Sequence, residues 1–330
     1  MRFKHIDRAD VNVSSIAVGT WAIGGEHYGE VNKQDSILAI RKMLDEGVNL
    51  IDTAPAYGEG HSEQVVGEAI EGYDRSKIMI STKVGIGKTT ARYKRHPSTE
   101  MVRDGRYENI LYECEQSLRR LGTDYIDFYF IHWPDFNTSI EETMDALNEL
   151  KKEGKIRFCG VSNFSIEQME ECEKYGRLAV IQPSFSMVAR SSLDLIKWAY
   201  ERGIGTFSYG TLGAGILTGK YRKVPTFEEG DPRGSFYPYF KEPQFSKVMK
   251  VIEVMDGVSK RIGKPLSQIA LNWTLQKEYI STGLCGVKNE QQAIENCKAM
   301  DWKLDDDYIV LIDKAIETYL NFDGNAPMKG

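Results

Sequence analysis

The sequence lacks the features of several large classes of protein. Its five cysteines are scattered and include no CxxC pair, which argues against a disulfide framework and against a thiolate metal site. No apolar run approaches the roughly 18 residues of a membrane helix. Residues 1–10 carry charges without the apolar core of a signal peptide. We therefore expect reduced thiols, no membrane partner and a cytoplasmic location.

An excess of positive charge is also absent. The 330 residues include 42 Lys and Arg against 48 Asp and Glu, giving a formal net charge of -6. A protein that binds nucleic acid or an anionic membrane usually has a basic surface, so this balance predicts no nucleic-acid partner. The five histidines show no HxH or HExxH spacing, and we expect no catalytic metal.

The sequence does contain a repeated alternation of apolar runs and helix-period segments. Because strands of a parallel sheet covered by helices are apolar throughout, these runs predict a parallel sheet. The predicted strands are 15–20, 48–52, 77–83, 126–132, 158–162, 179–184, 205–209 and 281–285. The predicted helices are 33–46, 62–70, 107–121, 139–152, 165–175, 192–202, 243–262, 266–277 and 290–298.

Eight strand and helix units in a chain of this length predict a closed (β/α)8 TIM barrel. No GxGxxG opens a helix, so the nucleotide signal of an open doubly wound sheet is missing. Residues 3–6 and 11–13 flank a polar break and predict an N-terminal β-hairpin that closes one end of the fold. No linker or low-complexity tract divides the chain, so we expect one domain over residues 1–330.

Two βα connections, 84–106 and 210–242, are longer than ordinary βα loops. Both follow strand ends and should overhang the face of a barrel where sites are built. The second contains Phe236, Tyr237, Tyr239 and Phe240, a composition that favours a wall over the substrate rather than a solvated insertion.

Ionisable side chains stand at the predicted ends of three consecutive strands. Asp52 ends one strand, Lys83 ends the next and His132 the one after, while Tyr57 lies in the loop that follows Asp52. Each of them alone has a structural alternative, such as a strand-end cap, a surface lysine or a hydrogen-bonded core histidine. Because parallel strands end at one rim, we expect the four side chains to lie together.

These residues carry a resemblance to a known family. The matching segments are GTWAIGG (19–25), DTAPAYG (52–58), STK (81–83), YIDFYFIHWPD (125–135), GVSNF (160–164) and GILTGK (215–220). The chain resembles the aldo-keto reductases over nearly its whole length. The resemblance is to a bacterial-type, long-loop branch of the family, which is similar to the potassium-channel beta-subunit-like and inositol- or sugar-related reductases. The resemblance implies that Asp52, Tyr57, Lys83 and His132 are a catalytic tetrad.

The chemistry of carbonyl reduction suits these four residues. Hydride addition leaves an alkoxide that needs a proton, and Tyr57 is the candidate general acid. Since the ordinary pKa of tyrosine is about 10, we expect the Lys83 ammonium to lower the Tyr57 pKa, with Asp52 holding Lys83 charged. We expect His132 to donate a hydrogen bond to the substrate oxygen.

Hydride needs a carrier, because no side chain supplies it. The resemblance implies a nicotinamide dinucleotide laid across the barrel mouth. It places Ser162, Asn163 and Gln182 at the carboxamide and Tyr209 against the nicotinamide ring. The full set of implied cofactor-binding residues is Thr20, Trp21, Ser162, Asn163, Gln182, Ser208, Tyr209, Gly210, Leu212, Leu217, Lys220, Gly286, Lys288, Gln292 and Asn296.

Two departures from the family pattern affect the cofactor. The family often has Ser-Pro-Leu after the seventh strand, where this chain reads Ser-Tyr-Gly-Thr-Leu at 208–212. Lys288, at the start of a helix, suits a 2′-phosphate and favours NADPH over NADH. Relatives often have arginine there, and lysine lacks its bidentate fork, so NADH remains an alternative.

The expected substrate is a small-molecule carbonyl or polyol, sugar-derived compounds included, that contacts Trp21, Trp133 and Tyr237. An inert core role is the alternative for the two tryptophans. Two other functions remain open. One is a slow redox-sensing or regulatory cofactor-binding subunit, and the other is an alcohol or sugar dehydrogenase that works in the oxidative direction.

Overall fold

The fold is that of a computed structural model, in which residues 1–25, 31–87, 102–228, 231, 233–322 and 324 are described. The strands within these residues are β1 Phe3–Ile6, β2 Val11–Ser14, β3 Ile16–Gly19, β4 Leu50–Asp52, β5 Met79–Val84, β6 Ile86–Gly87, β7 Val102–Arg103, β8 Ile126–Ile131, β9 Ile156–Ser162, β10 Val180–Gln182, β11 Gly205–Ser208 and β12 Thr282–Gly286. The helices are α1 Lys33–Asp45, α2 His61–Ile70, α3 Tyr107–Leu121, α4 Ile140–Lys152, α5 Ile166–Tyr175, α6 Leu193–Tyr200, α7 Arg233–Phe236, α8 Gln244–Ile262, α9 Leu266–Leu275, α10 Glu290–Lys298 and α11 Asp306–Tyr319.

Eight of these strands close into a parallel barrel. Their order around it is β3, β4, β5, β8, β9, β10, β11 and β12, with β12 pairing back to β3. The predicted (β/α)8 barrel is confirmed, and its strands lie within two residues of the predicted bounds. The strand β4 begins two residues later than predicted, although the Asn49 carbonyl accepts from Met79 of β5 at 2.7 Å. Asn49 also bonds to β2. Its side chain accepts from the Ser14 backbone at 2.7 Å and donates to the Asn12 carbonyl at 2.9 Å.

The antiparallel pair β1 and β2 closes the barrel at the end opposite the strand termini that carry the tetrad. Ile6 belongs to the same buried cluster as the barrel-interior residue Phe207. The Lys4 ammonium donates to the carbonyls of Lys277 and Ile280, at 2.7 and 2.6 Å, just before β12. The predicted hairpin is therefore confirmed, and it seals the amino-terminal ends of the strands.

Helix α11 lies outside the predicted elements. Its residues Ile309, Ile312 and Ile316 recur at spacings of three and four, the period of an amphipathic helix. The buried ones, Ile312 and Ile316, belong to the main hydrophobic core, where α11 packs against α8. The nine predicted helices are present within two residues of their bounds.

Both long connections contain secondary structure. The first begins and ends with the antiparallel pair β6 and β7, and its residues 88–101 lie outside the described residues. The second contains α7 and a 3-10 turn at Pro238–Phe240. The expectation that its aromatics form a substrate wall needs correction for Tyr239 and Phe240, which are buried in the core. The ring of Phe240 packs 4.9 Å from that of Phe227, so these side chains anchor the connection.

Two further predictions from the sequence concern the cysteines and membrane-spanning helices. All five cysteines are buried and free. None of the described helices is both long enough and apolar enough to cross a membrane.

Candidate active site

The structure brings the four predicted catalytic residues together. Lys83 is the central residue, because its ammonium donates to Asp52 Oδ2 at 2.7 Å, to Tyr57 Oη at 3.0 Å and to the Thr53 carbonyl at 2.9 Å. The side chain of Lys83 is fully buried, and that of Asp52 is 3% exposed. The rings of Tyr57 and His132 meet edge to face, with centroids 6.1 Å apart.

Strand geometry explains why the side chains of Asp52 and Lys83 meet. Asp52 is the last residue of β4, and it pairs in register with Ser81 of β5, two residues before Lys83. Residues two apart on a strand face the same side, so Ser81 and Lys83 both reach Asp52. Ser81 Oγ donates to Asp52 Oδ1 at 2.5 Å. Sequence reasoning did not assign Ser81 a role, although the period of two in the STK segment is the signal that identifies it.

Burial and neighbouring charges set the protonation states of Tyr57 and Lys83. Burial raises the pKa of Tyr57, and the lowering effect of the Lys83 ammonium does not outweigh it. Burial alone lowers the pKa of Lys83, but the charges of Asp52 and Tyr57 raise it by more, and the net pKa is raised. Lys83 lowers the Tyr57 pKa as predicted, but burial raises it by more, so the net direction is upward. At neutral pH Tyr57 is a phenol beside an ammonium, the form that donates a proton.

His132 is neutral at the same pH. Burial lowers its pKa well below the ordinary value, and the positive charge of Lys83 lowers it further. Its Nδ1 atom is buried and has no hydrogen-bond partner among the described residues. A neutral imidazole carries one N–H and can donate one hydrogen bond to a substrate oxygen without adding a charge.

A second network joins the residues that the resemblance places near the nicotinamide. Tyr209 Oη donates to Asn163 Oδ1 at 3.1 Å. The Asn163 amide donates to the His132 carbonyl at 2.9 Å and to Ser162 Oγ at 3.0 Å. Ser162 Oγ in turn donates to the Gln182 carbonyl at 2.8 Å. The structure thus brings Ser162, Asn163, Gln182 and Tyr209 together, and it shows that the Asn163 amide also holds the backbone of His132.

Thr20 and Trp21 lie on the other side of Tyr57. The Thr20 hydroxyl is buried, donates to the Asp52 carbonyl at 2.9 Å and accepts from Ser62 Oγ at 2.7 Å. It therefore holds the end of β4 from inside the protein. The Trp21 ring lies beside that of Tyr57, with centroids 6.4 Å apart, at a place where it can contact a substrate.

The loop that carries Tyr57 is fixed by contact between two backbones. Gly58 has φ +65, a left-handed conformation that favours glycine. A Cβ on Gly58 would lie 2.4 Å from the Gly24 carbonyl oxygen, and a Cβ on Gly24 would lie 2.7 Å from the carbonyl carbon of Tyr57. The 3-10 turn Trp21–Gly24 therefore sets the position of Tyr57.

Gly24→Ala is expected to lower kcat by about 10- to 100-fold, because the added methyl displaces the backbone of Tyr57, and a misplacement of about 1 Å can cost about 100-fold. Steady-state kinetics measure this. Gly257→Ala is the matched control, since a Cβ on that helical glycine meets nothing within 4 Å, and it should keep its kcat. Equal kcat values for the two variants would show that the glycine contact does not position Tyr57.

The segment after β11 has unusual backbone geometry. Gly210, Gly213, Ala214, Gly215 and Gly219 all have positive φ. Successive residues of this kind can turn backbone N–H groups towards an anion. The predicted pyrophosphate residues Ser208 and Leu217 are fully buried, backbone included, so this structure exposes neither of them to a phosphate.

Several charged side chains affect the pKa of Lys288, which lies just before α10. Burial lowers the pKa of Lys288, and the nearby cations Arg233 and Lys220 lower it further, while the carboxylate of Asp231 raises it. Arg233 and Asp231 form an ion pair with N–O distances down to 2.5 Å. The side chain of Asn289 caps α10 by accepting from the Gln292 backbone at 3.0 Å. Lys220 and Arg233 thus add positive charge around Lys288, while Asp231 and Glu290 in the first turn of α10 add negative charge. The helix N-terminus beside them favours an anion.

Sequence reasoning predicted Lys220 and Lys288 but missed Arg233 and Asp231, which stand in the long connection without a motif. The other predicted residues of this region differ in exposure. Gly286 and Gln292 are exposed, whereas Asn296 is buried. The Gln292 side chain accepts from the Lys288 backbone at 2.9 Å and so orders the turn before α10.

Trp133 and Tyr237 complete the predicted set. The Arg103 guanidinium lies over the Trp133 ring, 5.2 Å from its centroid, and 5.6 Å from that of Phe136. Tyr237 stacks on Tyr239 at 5.2 Å. Burial raises the pKa of Tyr209, and its interactions with Tyr237 and Tyr57 raise it further. No group of three or more His, Cys, Asp or Glu in the described part of the chain is placed to hold a metal ion.

Comparison with known proteins agrees with this geometry. A model of the Aldo/keto reductase family matches residues 15–317. Aldo-keto reductase YhdN of Bacillus subtilis is 38% identical over 307 residues, which cover 92% of this chain and 90% of that protein. The NADH-specific methylglyoxal reductase of Escherichia coli is 33% identical over 90% of this chain and 93% of its own length.

A solved structure gives the same result. The glycerol dehydrogenase of Gluconobacter oxydans superposes with a TM-score of 0.87 at 34% identity, covering 99% of this chain and 98% of that one. The family match, the identity to relatives and the closed barrel all support the same conclusion: the chain belongs to the aldo/keto reductase family.

Proposed function

We propose that the protein reduces an aldehyde or ketone to the alcohol, using NADPH as the hydride source and Tyr57 as the proton donor. The observation that carries this proposal is the fully buried Lys83, which is hydrogen-bonded to both Asp52 and Tyr57. A buried ammonium held beside a phenol has a clear chemical use, since it stabilises the phenolate left after proton transfer.

The site fits a dinucleotide in its charge and extent. The network of Tyr209 and Asn163 lies at the tetrad. The glycine-rich segment after β11 leads away from it, and the cations Lys220 and Lys288 lie near the start of α10. A nicotinamide cofactor bound along this path would supply the hydride. The residues Ser162, Gln182, Gly210, Leu212 and the others assigned by resemblance are its proposed contacts, apart from the fully buried Thr20, Ser208 and Leu217.

The residues of the chain then have separate tasks. Tyr57, a phenol because burial raises its pKa, donates its proton to the oxygen that gains charge. Lys83 offsets the negative charge left on Tyr57, and Asp52 keeps Lys83 in place. His132, neutral because burial lowers its pKa, donates its N–H to the same oxygen and orients the carbonyl.

For the substrate, we propose a small oxygenated carbonyl compound, with sugar-derived aldehydes included. The named relatives support this choice, because one is a methylglyoxal reductase and another a glycerol dehydrogenase. The aromatic faces of Trp21, Trp133 and Tyr237 are its proposed contacts. The test measures NADPH consumption by absorbance with a panel of small aldehydes, ketones and sugars. Turnover of several carbonyls is expected, and absence of turnover with every one of them would contradict the proposal.

The preferred direction follows from the protonation state of Tyr57. Reduction needs the phenol, which is present below its raised pKa, so the reductive kcat should stay nearly constant from pH 6 to about 9. Oxidation of the alcohol needs the phenolate, whose fraction rises about tenfold per pH unit below the pKa. The ratio of oxidative to reductive kcat should therefore rise with pH. A ratio that stays constant would contradict the assignment of Tyr57 as the titrating group.

The preference for NADPH rests on the cations at the start of α10. Lys288→Ala is expected to raise KM for NADPH by about tenfold, a loss of about 1.4 kcal/mol, and to change KM for NADH much less, because only NADPH carries the 2′-phosphate. Lys298→Ala, at the exposed far end of the same helix, is the matched control. Equal increases in KM for both cofactors would show that Lys288 does not select the phosphate.

A further inference from the structure

Gln182 reaches the tetrad from the opposite side of the barrel. It is the last residue of β10, and β10 and β4 lie four strands apart in the eight-stranded order. The Gln182 side chain, in a residue that is 2% exposed, crosses the interior, and its Nε2 atom donates to Asp52 Oδ1 at 2.8 Å. The two residues belong to strands that do not pair, so this contact depends on closure of the barrel.

The hydrogen bond from Gln182 completes the surroundings of Asp52. Oδ1 accepts from Gln182 and from Ser81, while Oδ2 accepts from Lys83. Donors on both oxygens fix the plane of the carboxylate and therefore the position of Lys83. These donors also spread the negative charge of the Asp52 carboxylate. Less of that charge then neutralises the ammonium, and more of the positive charge acts on Tyr57.

The backbone of Gln182 is held as firmly as its side chain. The residue pairs in register with Ser162 of β9, and its carbonyl accepts from Ser162 Oγ at 2.8 Å. A long side chain that starts from a fixed backbone loses little further freedom when it binds Asp52. The geometry is therefore that of a supporting residue for the carboxylate.

We propose that Gln182 is a positioning residue for the proton donor: its hydrogen bond across the barrel fixes Asp52, and through Lys83 it sets how readily Tyr57 gives up its proton. This inference rests on the proposed role of Tyr57. Besides Asp52 and Lys83, the ionisable groups that face Tyr57 are His132 after β8 and Tyr209 after β11. Both are neutral near pH 7, because burial lowers the pKa of His132 and raises that of Tyr209.

Two substitutions separate this role from simple packing. Gln182→Met keeps a similar volume without a hydrogen-bond donor. Gln182→Glu keeps the shape and donates to Asp52 only while its carboxyl is protonated. Gln268→Glu is the control, since Gln268 is also a buried glutamine with a side-chain donor bond, to the Glu295 carbonyl, and lies on α9. The pH profile of the reductive kcat is measured for all three variants with the full-length protein and NADPH.

For Gln182→Met we expect a kcat about tenfold lower at neutral pH. For Gln182→Glu we expect a new descending limb as pH rises, because ionisation of the new carboxyl removes the donor and adds negative charge beside Asp52. Gln268→Glu should keep the wild-type profile. If Gln182→Met does not fold, the pH profile of the reductive kcat of Gln182→Glu tests the proposal by itself.

The inference is overturned if both Gln182 variants keep the shape and height of the wild-type profile. It is also overturned if only KM for NADPH changes, since that result assigns Gln182 to the cofactor alone. The Tyr57→Phe variant tests the proposed proton donor separately from the proposed role of Gln182. If that variant keeps its turnover, the proposed proton donor is wrong. If it is inactive while the Gln182 variants behave as wild type, only the role of Gln182 is wrong.

Discussion

Tyr57→Phe is expected to lower kcat for carbonyl reduction by about 1000-fold. The substitution removes one oxygen, the atom that accepts from Lys83 at 3.0 Å, and leaves the ring in place. General acid catalysis contributes about 100- to 10000-fold, and no other neutral hydroxyl of the tetrad can replace the lost proton. His132 remains able to orient the carbonyl, so binding of the substrate should weaken far less than kcat falls. Steady-state kinetics over a range of substrate concentrations measure both effects.

Controls distinguish lost chemistry from lost structure. The Tyr57→Phe protein should bind NADPH with nearly unchanged Kd in a fluorescence titration, because the phenylalanine ring keeps the packing against Trp21. Tyr73→Phe removes a phenol that bonds to Asp45, away from the tetrad, and should keep its kcat. A Tyr57→Phe protein that binds cofactor and turns over at the wild-type rate would refute the proton-donor role.

Lys83→Met should remove activity and also destabilise the fold. The substitution leaves the buried carboxylate of Asp52 without its cation, and breaking a buried ion pair in this way costs about 3 to 5 kcal/mol of unfolding free energy. The kcat should fall by about 1000-fold, because the phenolate of Tyr57 would form without a neighbouring positive charge. Urea denaturation and steady-state kinetics measure the two effects independently.

A double variant separates the structural from the catalytic part of that loss. Asp52→Asn combined with Lys83→Met removes both charges, and the introduced asparagine can still accept from Ser81 and Gln182. The double variant should regain most of the lost unfolding free energy but none of the kcat. If it were as active as the wild type, the ion pair would have no catalytic role. If it were as unstable as Lys83→Met, the orphaned carboxylate would not be the cause of the instability.

Much of the site was predictable because it depends on strand ends. A parallel strand covered by helices is an apolar run, so Leu50–Asp52 and Ile126–Ile131 could be recognised and the polar residue at each end located. The common rim of a barrel then places Asp52, Lys83 and His132 side by side. The roles assigned to the four residues depended on the resemblance to a known family, since each residue alone also has a structural explanation.

Contacts between distant segments were not predictable in the same way. The charges of Arg233 and Asp231, in the long connection after β11, affect the pKa of Lys288 just before α10, and no periodic pattern in the sequence describes such a loop. The contact of Gly24 with Gly58 is similar, since two glycines far apart in the chain give no sign that their backbones touch. The buried positions of Tyr239 and Phe240 also depend on packing, in this case against α8.

The sequence by itself determined the barrel, the order of its strands and the four residues at its rim, because hydrophobic periodicity and strand-end position are local properties. Only the tertiary structure decided the electrostatics. Whether the Tyr57 pKa lies above or below its ordinary value depends on how far burial outweighs the charge of Lys83, and burial comes from the whole fold. The link from Gln182 to Asp52 likewise exists only when the barrel has closed and brought opposite strands within hydrogen-bond distance.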